Sequence, residues 1–96
     1  MSRYRLTPAA QHDLSSIWDF TSDQWGVSQA ESYVNEIRAA IERIAEDPRR
    51  GRPSDEIRPG YRRCAVGSHL LFYVASADGV DIIRILHQRM DPTLHV

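Results

Sequence analysis

Through the first half of the chain, apolar residues return every three or four positions; through the second, they return every two. The first stripe collects Ala10, Leu14, Ile17, Trp18, Thr21 and Trp25, with Asp13, Asp19 and Asp23 falling off it. That interval places side chains on one face of an α-helix. Thr7-Pro8 supplies the start, because a threonine hydroxyl can accept from an unpaired backbone N–H and proline loses nothing at the first helical position. Gly26 supplies the stop, as a left-handed residue past the last turn. A second stripe, Ala30, Tyr33, Val34, Ile37, Ile41 and Ile44, follows Ser28 and Glu31, whose spacing predicts a capping box. Asp47-Pro48 ends it, since the residue before a proline is pushed out of the helical region. Two helices this close in sequence form an antiparallel hairpin.

Neither helix can bury its stripe alone, so a further layer is needed. Arg3 to Leu6 alternates and predicts a short first strand. The stretch from Pro48 to Gly60 holds three prolines and two glycines and reads as an irregular loop. Tyr61–Val66, His69–Ala75 and Val80–His87 then predict three strands, separated by the turns Gly67-Ser68 and Ala77-Asp78-Gly79. The order is strand, helix, helix, strand, strand, strand. Because the helices are consecutive, they cover one face of a mainly antiparallel sheet, a two-layer α+β arrangement.

Composition sharpens this only in places. The chain has 96 residues, enough for one domain, read as 1–96, with one modest core. Met1-Ser2-Arg3 leads straight into patterned sequence without an apolar signal segment, and no apolar run approaches the ~20 residues that span a bilayer. The single Cys64 cannot form an internal disulfide and reads as a small core residue; a cytoplasmic location and no membrane association are the expectations. The net charge is −1, which argues against a dedicated nucleic-acid coat. Yet all twelve basic residues are arginine, and six of them (Arg49, Arg50, Arg52, Arg58, Arg62 and Arg63) crowd into one segment beside only Asp55 and Glu56. Guanidinium groups suit bidentate contacts, so this segment is either a solvated loop or a patch for an acidic partner.

Candidate chemistry concentrates in DIIRILHQRMD, residues 81–91, an apolar run holding Arg84 and emptying into His87, Gln88, Arg89, Met90 and Asp91. His12, His69, His87 and His95 stand apart, with neither HExxH nor CxxC, so no metal or other cofactor is expected. A metal-free ribonuclease would need a base, an acid and cations for the phosphorane charge. Arg62, Arg63, Arg84 and His87 could supply part of that by converging on the sheet face away from the helices. No carboxylate or tyrosine stands clearly beside His87. An arginine inside an apolar strand must reach water or a carboxylate, so an ion pair with Asp81 or a helix acid is the plain expectation for Arg84. Trp18 and Trp25 read as core and helix-end packing.

The ordered set of segments resembles the RelE/ParE superfamily of bacterial toxins, and within it the ParE branch. The matching stretches are YRLTPAAQHDLSSIWDFTSDQWG (4–26), QAESYVNEI (29–37), DPRRGRPSDEIRPGYRRCAVGSHLLFY (47–73) and IIRILHQRMD (82–91), which together run along nearly the full chain. The resemblance implies the toxin of a type II toxin–antitoxin pair that inhibits DNA gyrase, with no catalysis of its own. It implies a ParD-type antitoxin that wraps the toxin and carries the operator-DNA contact. In the RelE branch the same fold cleaves ribosome-bound mRNA. Arg84 falls near that branch's active-site arginine and His87 near its C-terminal His/Tyr position, so a nuclease here would use Arg62, Arg84 and His87. The chain departs from that branch in having no lysine, no terminal tyrosine, and a tail from Arg89 to Val96.

The expectation is therefore a gyrase-inhibiting toxin, with an mRNA endonuclease as the alternative and a pure assembly partner as a third reading. Arg84, His87, Gln88, Arg89 and Met90 are expected to meet the target. Arg58, Tyr61, Arg62 and Arg63 are expected to meet the antitoxin, whose segments fold as they bind.

Overall fold

The structure, a computed structural model, describes residues 3–96; the Met1-Ser2 lead-in lies outside the described residues. Strand β1 (Arg3–Leu6) leads into helix α1 (Pro8–Trp25) and helix α2 (Val27–Glu46). A 3-10 turn (Pro48–Arg50) and a two-residue strand β2 (Arg52–Pro53) follow. The chain continues through β3 (Tyr61–Val66), β4 (His69–Ala75) and β5 (Gly79–His87) to a last helical turn, α3 (Pro92–His95). The five strands lie in the order β1-β5-β4-β3-β2, with β1 parallel to β5 and every other pair antiparallel. This is the expected α+β architecture. β2 and α3 fall in stretches whose sequence carries no strand or helix period.

The Thr7 hydroxyl accepts from the Ala10 N–H at 3.1 Å and donates to the Ile83 carbonyl at 2.7 Å, tying the start of α1 to the sheet. At the other end Gly26 has positive φ as expected, but its φ of 94° and ψ of 163° lie in an extended region open in practice only to glycine. Its N–H closes α1 on the Ser22 carbonyl and its own carbonyl opens α2 by accepting from the Ala30 N–H. One residue thus ends one helix and starts the next. Helix α2 begins at Val27 with no side-chain cap, so the capping box expected at Ser28 and Glu31 does not form. Ser28 already lies inside the helix.

Ile37, Ile41 and Ile44 of α2 and Ala10 and Ile17 of α1 pack on Leu71, Tyr73, Val80, Ile82 and Ile85 of the sheet, with Leu14, Tyr33 and Cys64 at the margin. Burying each such isoleucine contributes roughly 1.5–3 kcal/mol. Trp25 departs from its expected packing role: it is 73% exposed, because the last turn of α1 reaches the bend of the hairpin where nothing covers the ring. Trp18 is half-buried. Among the described residues, no helix is long and apolar enough to cross a membrane.

Candidate functional site

Strand β5 explains how an arginine sits inside an apolar run. Phe72 lies opposite Arg84 but Tyr73 lies opposite Ile82, so Ile83 is an extra residue on β5, a β-bulge. The bulge shifts the alternation by one. Val80, Ile82 and Ile85 all meet the helices, and Arg84 is released from the core face. At this level β1 has ended, leaving the β5 edge open for α1 to close. Asp13 does so: its carboxylate accepts from Arg84 Nε at 2.7 Å, Arg84 Nη2 at 2.9 Å and the Ile85 backbone N–H at 2.9 Å. The Asp13 side chain is only 10% exposed. A bidentate pair of this kind holds both charges far more firmly than a surface contact does. Asp13 pushes the guanidinium pKa of Arg84 up further still.

Two expectations are settled by this contact. Arg84 forms its ion pair with a helix acid, whereas Asp81 is taken by Arg5 at 3.4 Å. Asp13 is not on the solvent face. It lies three residues after Ala10 and four before Ile17, both buried, and that spacing was the signal that it faces the sheet.

Beyond β5 the chain turns sharply, with the Met90 N–H donating to the His87 carbonyl and the Arg89 N–H to His87 Nδ1 at 3.1 Å. Gln88, Arg89 and Met90 form an exposed corner. Asp91 then caps α3, accepting from the Thr93 hydroxyl at 2.7 Å and the Thr93 N–H at 2.9 Å, and these bonds hold its carboxyl below the usual carboxylate range. Arg84 Nη1 donates to the His95 carbonyl at 2.8 Å, pinning α3 to β5.

His87 faces the helices, so the anticipated convergence on the opposite sheet face does not occur. It is directly across from His69 on β4, with ring centroids 5.4 Å apart and nearly perpendicular. His69 Nδ1 lies 2.6 Å from the Tyr33 hydroxyl of α2. That hydroxyl also accepts from the Ser68 N–H and faces the Val66 carbonyl at 3.2 Å. Burial lowers the His69 pKa below the ordinary imidazole value, and the neighbouring His87 adds to the effect. Gly67 lets Tyr33 approach: it has φ of 55°, and a Cβ there would lie 2.6 Å from the tyrosine ring. The two imidazoles line a groove of about 940 Å³ between the hairpin and the end of the sheet, walled by Ile17, Phe20, Trp25 and Met90. Phe20 is 64% exposed.

The arginine-rich edge lies two strands away. Arg62 donates to the Gly51 carbonyl at 2.7 Å and more weakly to that of Arg49, and Arg63 Nη2 meets Glu56 at 2.9 Å. Tyr73 anchors the same loop, donating to the Pro48 carbonyl and accepting from the Gly51 N–H, both at 2.8 Å. Arg58 is exposed and Tyr61 half-buried. Adjacent on one strand, Arg62 and Arg63 point to opposite faces.

The structure therefore places Arg58, Tyr61, Arg62 and Arg63 on β3 and the loop before it, with Arg62 and Arg63 on opposite faces, and His87 to Met90 at the end of β5. Arg62, Arg84 and His87 do not meet. Arg84 is engaged by Asp13, Arg62 by backbone carbonyls, and His87 has a histidine rather than a carboxylate for its neighbour. Asp13, Tyr33, His69 and Phe20 are the site residues that sequence reasoning missed. Phe20 continues the interval of Asp13 and Ile17, whereas the Tyr33–His69 contact carries no sequence signal.

Comparison with known proteins completes the picture. The family model "ParE toxin of type II toxin-antitoxin system, parDE" matches residues 4–92. Toxin ParE1 of Mycobacterium tuberculosis is 58% identical over 91 residues, covering 94% of this chain and 93% of the relative. Toxin ParE1 of Caulobacter vibrioides is 48% identical over 96 residues, covering 100% and 99%. Toxin ParE of Escherichia coli is 30% identical, covering 95% and 89%. In solved structures, a chain of the chromosomal ParDE toxin–antitoxin system of P. aeruginosa shares the fold, with a TM-score of 0.77 at 20% identity over 91% of this chain and 96% of that one. Matched along almost its whole length by the family model and by these relatives, the chain belongs to the ParE toxin family of type II toxin–antitoxin systems.

Proposed function

We propose that this chain acts as a single-domain toxin that arrests growth by binding DNA gyrase and is neutralised by a ParD-type antitoxin. The observation that carries a binding rather than a cutting mechanism is the Asp13–Arg84 pair. An arginine that stabilises a phosphorane needs an unengaged guanidinium edge at the reacting phosphate. Here two of the guanidinium nitrogens hold one carboxylate and the third holds the His95 carbonyl. Arg84 works instead as a strut that sets the angle at which the tail leaves β5. His87, Gln88, Arg89 and Met90, mounted on that rigid strand end, form the target-binding corner. Positioning a recognition surface on a rigid element limits the entropy lost on binding.

The antitoxin reaches the opposite edge, where Arg58, Tyr61, Arg62 and Arg63 accept an acidic segment. Operator DNA is contacted only through the antitoxin. No cofactor takes part.

Two assays run side by side test this reading: supercoiling by purified gyrase, and primer extension on translated mRNA after induction of the toxin. Inhibited supercoiling with intact mRNA is the expected result. Codon-phased mRNA cuts with normal supercoiling would replace it with an endonuclease, and absence of both effects would leave only an assembly role.

A further inference from the structure

The stretch from Pro48 to Arg63 holds six arginines and two acids on a chain whose net charge is −1, so the rest of the molecule is acidic. Most of these positive charges are unanswered. Glu56 meets Arg63, and Asp55 accepts from the Gly60 N–H. Among the described residues, no carboxylate lies within ion-pair distance of Arg49, Arg50, Arg52 or Arg58, and all four are exposed. The strand register adds a cost of its own. Arg52 lies directly opposite Arg63, so both side chains leave the sheet on the same face, where like charges repel. Glu56 answers only the Arg63 half, through one nitrogen, and Arg63 Nε is buried without a hydrogen-bond partner. The free protein gains nothing from this juxtaposition, which an anion from outside would relieve.

The backbone beneath the arginines narrows the kind of anion. An extended acidic peptide that docks on a sheet edge adds itself as a strand, using free N–H and C=O groups. Here those groups are already engaged. The Pro48 carbonyl and the Gly51 N–H bond to the Tyr73 hydroxyl, and the Gly51 and Arg49 carbonyls accept from Arg62. The Asp47 carbonyl accepts from the Arg50 N–H, and Pro53 has no N–H to give. A Cβ at Gly51 would overlap the Tyr73 hydroxyl, so this loop is held tightly against β4. What the edge presents is a fixed group of guanidinium side chains. That suits a stiff polymer charged at every unit, and duplex DNA carries about one negative charge per 1.7 Å of its axis.

We propose that Arg49, Arg50, Arg52 and Arg58 form a phosphate-binding face through which the free toxin holds duplex DNA without regard to sequence. Phosphate contacts position a protein but do not specify a site, so operator choice stays with the antitoxin. Arg58 also belongs to the edge assigned to the antitoxin, so neutralisation and DNA contact compete there. A target that works on DNA gives the face its use, because weak contact with duplex concentrates the toxin where that enzyme acts. The proposal takes its use from the gyrase reading and its evidence from the charges alone.

Fluorescence anisotropy of a short labelled duplex titrated with the toxin, between about 50 and 200 mM salt, tests this. Binding should weaken with salt at a logarithmic slope of about −3, as three to four phosphate contacts require. Arg50→Gln with Arg52→Gln should weaken binding about tenfold or more at the low-salt end and flatten the slope by roughly 2. Arg3→Gln with Arg5→Gln removes the same charge from the far edge of the sheet, at β1, and should change affinity by less than about twofold. Arg52→Gln alone should weaken binding without lowering the melting temperature, since it relieves the repulsion with Arg63. Absence of salt-dependent binding, equal losses from the two double variants, or a loss in Arg52→Gln that follows a fall in stability would overturn the face. Competition by polyglutamate of matched charge, as strong as by unlabelled duplex, would replace DNA with an acidic polypeptide. Inhibited supercoiling beside any of these failures keeps the gyrase reading and removes only the DNA contact.

Discussion

At Asp13 three donors converge on one largely buried carboxylate. Removing it strands a guanidinium and a strand N–H. Asp13→Ala should therefore cost about 2–3 kcal/mol, less than the ~3–5 kcal/mol of a fully buried pair because Arg84 retains water on one side. Urea unfolding measures this directly, and a loss below about 0.5 kcal/mol, typical of surface substitutions, would deny the pair its role. Gly67 is the second sensitive residue. Gly67→Ala places a methyl against the Tyr33 ring in a backbone region that L-residues avoid, so thermal stability should fall, by an amount equivalent to roughly 1–3 kcal/mol. His69 gives the fold a pH dependence of known sign. Its folded pKa lies below the unfolded value of about 6.5, so the unfolded chain binds the extra proton first. Stability is full above pH ~6.5 and declines as pH falls through the folded pKa. His69→Gln should remove that part of the acid decline, as read from urea midpoints at a series of pH values.

Among the elements, the tail and the hairpin bend repay attention for opposite reasons. The tail is held by the Arg84–His95 contact and the Asp91 cap, each a single exposed or half-exposed feature. Truncation after His87 leaves the Asp13–Arg84 pair and the whole sheet in place. It should cost about 1 kcal/mol or little more, leave the chain folded and able to bind antitoxin, and abolish growth arrest. A truncated chain that still arrests growth would remove the tail from the target-binding surface. The bend exposes Trp25 where the core gains nothing from it. Trp25→Ser should leave the melting temperature nearly unchanged, since the ring is already in water.

For the whole molecule, the two proposed surfaces lie at separate places on one sheet: arginines on the β2–β3 side, and the corner where β4 begins and β5 ends. A partner that engages both must wrap the protein, which suits a segment that orders as it binds. The sheet between them is the spacer. Its register, set by the β5 bulge, fixes how far apart the two surfaces stand.

The local architecture was legible in the sequence because it rests on interactions a few residues apart. The helical stripes, the Thr7-Pro8 start, the glycine bend and four of the five strands follow from periodicity and turn chemistry, and they arrange themselves as expected. An ion pair for Arg84 was also foreseeable, since burying a bare guanidinium is costly. Its partner was not named, although Asp13 lies on the buried spacing of α1. The remainder required the tertiary structure. Asp13 and Arg84 are 71 residues apart, Tyr33 and His69 36 apart, and neither pairing leaves a local trace. The bulge at Ile83 belongs to the pairing of β4 with β5 rather than to either strand, and it sends Arg84 to the edge and His87 to the helix side. β2 exists only because β3 offers it a partner. Short-range periodicity decided which residues form the two long helices and four of the strands; which side chains meet was decided by cross-strand register and by how the hairpin lies on the sheet.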